Sequence, residues 1–118
     1  MKPFALVAAI AALALPAATG AYAASAGHTL EGKVGPGFSI SLTLDGKPVK
    51  ELAPGDYTVK IEDDSDQHDF HLTGPTVNKL TSITGKGKST WHVTLKKGRY
   101  HFMCDPHSAF MKGSFKVT

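Results

Sequence analysis

Apolar residues recur at every second position in short runs through residues 38–118, and turn residues break each run. A period of two puts alternate side chains on opposite faces of an extended chain, so each run can bury one face only. Phe38-Ser39-Ile40-Ser41-Leu42-Thr43-Leu44 is the first such run, and Asp45-Gly46 follows it as a hairpin signal. Pro54-Gly55-Asp56 marks a turn, beyond which Tyr57, Val59 and Ile61 oppose Thr58, Lys60 and Glu62. Phe70 and Leu72 make a short strand that Gly74-Pro75 stops. Ser89 to Leu95 alternates again, with Trp91, Val93 and Leu95 on one face. After Lys97-Gly98, Tyr100, Phe102 and Cys104 share a face, and Gly113 to Thr118 ends the chain with Phe115 and Val117 inward. Residues 77–88 lack a clear period and read as a loop crossing between sheets, with room for a short helical turn. Roughly seven to eight short strands with turns about every 8–12 residues predict an all-β fold, a β-sandwich or small barrel.

Ahead of this region lies an export signal. Lys2 supplies a positive start, residues 4–15 are apolar and uncharged, and Ala21-Tyr22-Ala23 fits a small-x-small cleavage site. The run is shorter than the roughly 20 residues of a transmembrane helix, so no stable membrane insertion is expected after cleavage. The reading is a signal peptide over residues 1–23 and one domain over 24–118, with a second cleavage site ending at Ala26. The expected location is periplasmic or secreted. The net charge of +3 is mild, and the lysines are scattered among acids, which argues against a nucleic-acid surface.

The chain has one cysteine. In an exported protein a single thiol cannot form an internal disulfide, and unprotected it is open to oxidation. Metal coordination removes that liability. Cys104-Asp105-Pro106-His107-Ser108-Ala109-Phe110-Met111 places a thiolate, an imidazole and a thioether within eight residues. One thiolate, two imidazoles and a weak axial thioether are the ligands of a type 1, or blue, copper site. The second imidazole must come from upstream, where His68 and His71 are both available. They face opposite sides of a strand, so both cannot enter one site. His68, at a loop-to-strand junction, is the expected ligand. His71 is left as a surface residue, a supporting group or part of an accessory metal site. His92 and His101 are expected to face solvent, and Met103 to pack away from the site.

Three stretches, Asp66-Gln67-His68-Asp69-Phe70, Gly98-Arg99-Tyr100-His101-Phe102-Met103-Cys104, and Asp105-Pro106-His107 through Met111, resemble the small cupredoxins, the plastocyanin, amicyanin and azurin group. The resemblance spans roughly residues 34–118 and implies a Greek-key β-sandwich that shuttles single electrons on one copper ion, Cu(I)/Cu(II). The matching ligand positions are His68, Cys104, His107 and Met111. Two departures stand out. Asp69 occupies a place where many members have Asn, whose side chain helps tie down the cysteine loop. The gap of three residues between His107 and Met111 is shorter than in plastocyanins and longer than in amicyanins.

These observations predict an exported electron carrier, not an enzyme: no second histidine cluster and no separate nucleophilic pattern is present. The competing expectation is a copper-binding or copper-delivery protein without a shuttle role, which the additional His71, His101 and Met103 would suit. Redox partner proteins are expected to dock near His107 and Phe110, on a rim with Pro75, Pro106 and Ala109. A monomer is expected.

Overall fold

Asp45 and Gly46 both take positive φ, 51° and 78°. That is the backbone of a tight hairpin whose twist matches its strands, and it joins β2 (Ile40–Leu44) to β3 (Lys47–Pro48). The computed structural model describes residues 28–118. The expected signal peptide and its cleavage sites lie outside the described residues. Preceding the hairpin is β1 (Thr29–Val34); following it are β4 (Glu51–Leu52), β5 (Gly55–Asp63), β6 (His71–Thr73), β7 (Asn78–Leu80), β8 (Gly87–Leu95), β9 (Gly98–Met103) and β10 (Lys112–Val117).

The strands form two five-stranded sheets, ordered β3-β2-β1-β5-β8 and β4-β10-β9-β6-β7. Both are mixed, because β1 runs parallel to β5 and β10 parallel to β4 while the other pairs are antiparallel. The chain crosses repeatedly between the sheets, which gives the sandwich that the period-two runs predict. Tyr57, Val59 and Ile61 of β5 face Leu72, Tyr100, Phe102, Phe115 and Val117 of the second sheet across a buried interior. Phe70 stacks on Phe102 at 5.8 Å and Tyr100 on Phe115 at 5.3 Å. Each fully buried large side chain contributes about 1.5–3 kcal/mol relative to exposure; the Phe70–Phe102 stack anchors the strand ends that carry the site, and the Tyr100–Phe115 stack anchors β9 and β10 further from it.

Three features differ from the sequence expectation. Strand β1 is central in its sheet, yet its alternation is interrupted at Gly32. A Cβ there would lie 2.4 Å from Cδ1 of Ile61, its neighbour on β5 of the same sheet, and 3.0 Å from the Phe70 ring, so the side chains already packed over this position select glycine and hide the pattern. Residues 77–88 contain no helical turn but the edge strand β7, all three residues of which are exposed. Phe38 precedes β2 and lies 68% exposed on the β1–β2 loop, because its packing partners are at the end of the sandwich. Trp91 is half-buried against the core, whereas His92 and His101 are exposed as expected.

Candidate metal centre

Strand β9 ends at Met103, and the chain then turns back on itself. Residues Asp105–His107 form one 3₁₀ turn with Pro106 near its start, where a missing N–H costs nothing. His107 donates its N–H to the Cys104 carbonyl at 3.0 Å, and the Met111 and Phe110 N–H groups both bond the His107 carbonyl. Cys104 N–H meets the Met111 carbonyl at 3.0 Å and closes the loop as β10 begins. The loop is thus braced by its own backbone, with Cys104 and Met111 both essentially fully buried.

The remote histidine sits on a loop of its own. Asp63, at the end of β5, accepts the Ser65 N–H at 3.1 Å and the Thr81 hydroxyl at 3.0 Å, and Ser65 Oγ accepts the Gln67 N–H. Thr81 also accepts the Phe70 N–H and bonds the Phe70 carbonyl, which pins the far side of the loop. Burial pushes the Asp63 carboxyl up, and the Ser65 and Thr81 bonds offset part of that rise. Gly35, with φ +73°, lets the β1–β2 loop approach: a Cβ there would lie 2.8 Å from Ser65 Cβ. Composition gave no cue to Asp63, Ser65 or Thr81, because their role depends on three segments meeting.

His68, Cys104 and His107 come together at this end of the sandwich. Cys104 Sγ lies 3.6 Å from His68 Nδ1 and 3.6 Å from His107 Nδ1, and the two Nδ1 atoms are 3.1 Å apart. Those edges are what donors about 2.0–2.3 Å from one shared ion would span. The three form the one such group of His, Cys, Asp and Glu donors among the described residues. His68 is 3% exposed and Cys104 0%, while His107 is half-buried. Burial raises the Cys104 thiol, and the N–H groups of Asp69 and His107 partly counter this by favouring the thiolate. A cation at the triangle would complete that bias, since a coordinating thiol loses its proton. A soft thiolate with two imidazoles suits one copper ion.

Phe38 was not among the expected site residues. Its ring meets His68 at 5.3 Å and His107 at 5.2 Å, both edge to face, and leans on Phe110 at 5.9 Å. Phe110 is 61% exposed, so Phe38, Phe110 and the His107 ring make the apolar rim. Pro75 does not join it: it packs against Gly98 at the other end of β9, where Tyr100 also bonds Thr76.

Asp69 takes over the tie that Asn would make. Its Oδ1 accepts the Asp105 N–H at 2.6 Å, linking the two ligand loops. Its Oδ2 is buried without a hydrogen-bond partner. Burial, reinforced by the Asp105 carboxyl, pushes Asp69 up to about 6. Burial also pushes Asp105 up, but its bonds to Asp69 and His71 outweigh this and hold it below the usual range. His71 places Nδ1 2.9 Å from Asp105 Oδ1 and Nε2 2.5 Å from Asn78 Oδ1. Burial lowers its basicity, yet these two acceptors more than offset that and raise it.

Structural comparison gives the same architecture. A rusticyanin copper protein is 16% identical with a TM-score of 0.58, covering 76% of each chain. Auracyanin from the photosynthetic bacterium Roseiflexus castenholzii is 19% identical with a TM-score of 0.55, covering 79% of this chain and 98% of its own. A chain of a heme-copper terminal oxidase dimer is 17% identical with a TM-score of 0.54, covering 76% of this chain and 63% of its own. No curated protein matches by sequence. The sequence pattern of the copper binding proteins, plastocyanin/azurin family, does match, over residues 58–118, which carry both ligand loops and the strands between them. On that match and on the thiol–imidazole triangle, the chain belongs to the plastocyanin/azurin family of copper-binding proteins.

Proposed function

We propose that the protein is an exported electron carrier with a single type 1 copper ion held by His68, Cys104 and His107. The carrying observation is the buried triangle of one Sγ and two Nδ1 atoms with edges of 3.1–3.6 Å. Met111 would be the fourth ligand in this reading, contributing a weak thioether donor; its burial and its backbone bond to His107 support that place. Copper supplies the one-electron couple, Cu(II) plus an electron giving Cu(I). The chain's own residues supply rigidity. Two hydrogen-bonded loops on a packed sandwich hold the donors before metal arrives, so little has to move when the charge changes.

The rim supports a route for the electron. The two other donors are sealed, and His107 alone of the three is partly exposed, ringed by Phe38 and Phe110. A redox partner protein docks there in this reading. Burial of Cys104 and His68 favours a shuttle over a delivery protein, since releasing copper would require the loops to open. A site filled by four protein donors leaves no open position for substrate, which favours a carrier over an enzyme. The apolar, uncharged stretch at residues 4–15 supports a periplasmic or secreted location.

The test is the visible absorption and electron paramagnetic resonance of copper-loaded protein beside Cys104→Ser. An intense thiolate-to-copper band with narrow hyperfine splitting, absent from the variant, is expected. Copper binding without that band, unchanged in Cys104→Ser, would overturn the type 1 assignment.

A further inference from the structure

We propose that His71 is a positioning residue for the metal-binding loop, acting through Asp105; the proposal rests on the type 1 reading above. The topology explains how a residue outside the triangle reaches the loop. His71 opens β6 and lies directly across from Met103, the last residue of β9. Two residues later the chain has left the sheet, and Asp105 has turned back so that its Oδ1 meets His71 Nδ1 at 2.9 Å. The other ring nitrogen meets Asn78 Oδ1 at 2.5 Å. Asn78 stands across from Thr73 on β7, two residues from the partner of His71, so it is a diagonal neighbour on the same sheet face.

These contacts make one continuous chain, Asn78–His71–Asp105–Asp69. The Asp105 side chain is held from the second sheet and its backbone N–H from the residue after His68. Asp105 lies between Cys104 and Pro106, so fixing it at two points fixes the direction in which the Sγ donor and the 3₁₀ turn leave the strand. Without the imidazole, the Asp105 side chain keeps no partner from the sheet. The Cys104–His107 turn would then be braced by Asp69 and by its own backbone bonds. Both ring nitrogens of His71 are already engaged, which favours this role over an accessory metal ligand. Outer partners of this kind orient metal donors, and losing one typically costs about 10–100-fold in metal affinity.

The experiment compares wild type with His71→Leu, which removes both bonds, and His71→Asn, whose amide can place an N–H where Nδ1 lies. In metal-free protein, the exchange rate of the Asp105 backbone amide with solvent is read by NMR. In copper-loaded protein, the charge-transfer band and the rate of copper loss to a chelator are read. His71→Leu is expected to raise Asp105 amide exchange and copper loss by about tenfold or more and to shift the band, with β5 and β8 amides unchanged. His71→Asn should restore most of each value. Asn78→Ala, which leaves the imidazole in place, should move both rates the same way by less. Wild-type Asp105 exchange and copper loss in His71→Leu, or no recovery in His71→Asn, would overturn the proposal. If wild type itself lacks the type 1 band, that reading fails separately, while the metal-free exchange still decides whether His71 holds the loop.

Discussion

Phe38 and His107 meet edge to face at 5.2 Å, although 69 residues separate them along the chain. The contact joins the β1–β2 loop to the loop that carries Cys104. It also covers the imidazole through which the electron is proposed to pass. A ring 68% exposed to water is held here by the two histidines and Phe110, not by the core.

Phe38→Ala should therefore act on the site more than on the fold. Aromatic pairs of this geometry contribute about 0.5–1.5 kcal/mol each, so losing its three ring contacts should lower the unfolding free energy by about 1.5–4.5 kcal/mol, toward the lower end for a ring this exposed. Copper transfer to a chelator should quicken, because the faces of both imidazoles open to solvent. Urea unfolding and chelator kinetics measure the two effects. Unaltered chelator kinetics would show that Phe38 does not shield the ion.

Asp69 makes stability of the metal-free protein depend on pH. Its folded value of about 6 lies above the roughly 3.9 of an unfolded aspartate. Between those values the folded state holds more protons than the unfolded chain, so stability declines as pH rises from about 4 to about 6, by at most about 3 kcal/mol. The depressed Asp105 works oppositely, and its contribution is lost as pH falls below about 4. Asp69→Asn keeps an oxygen for the Asp105 N–H and cannot ionise. It should flatten the decline between pH 4 and 7 in a denaturation series. An unchanged slope would place the titration elsewhere.

Met111 separates packing from ligation. Met111→Ala should cost about 2–5 kcal/mol, as buried truncations do, because the side chain is 1% exposed. Met111→Leu keeps the volume and should cost less than about 1.5 kcal/mol. Losing the thioether should raise the reduction potential, since a donor that helps Cu(II) is gone. Voltammetry of Met111→Leu checks this; a wild-type potential would remove Met111 from the ligand set.

Tyr100→Phe is the control at the far end of β9. The hydroxyl accepts the Lys96 N–H at 3.0 Å, donates to the Lys96 carbonyl at 2.9 Å and lies 2.9 Å from Thr76 Oγ1. Its partners Lys96 and Thr76 lie at the surface and can turn to water, so removing it should cost about 0.5–1.5 kcal/mol. The copper spectrum should not change. A lower thermal midpoint with a wild-type spectrum is expected.

What the sequence by itself determined is local. Alternation over residues 57–62 and 89–95 specifies strands with one buried face, because a period of two has no other economical use. Cys104, His107 and Met111 announce a metal loop because they are neighbours on the chain, so one short turn delivers them together. Elsewhere a local pattern was absent or misleading. Gly32 broke the alternation of β1 because a side chain there would strike Ile61, and β7, wholly exposed, has no apolar face to read. The sequence favoured His68 over His71 for its place at a loop-to-strand junction, but only the tertiary structure decided how it reaches the triangle and what His71 does instead. His68 and His71 are only three residues apart, yet the loop built on Asp63, Ser65 and Thr81 directs His68 inward. The register of β6 against β9 sets His71 on Asp105. Phe38 above the imidazoles and Asp69 on the Asp105 N–H depend on contacts between residues tens of positions apart. Strand pairing and sheet packing set those separations, and no short-range period encodes them.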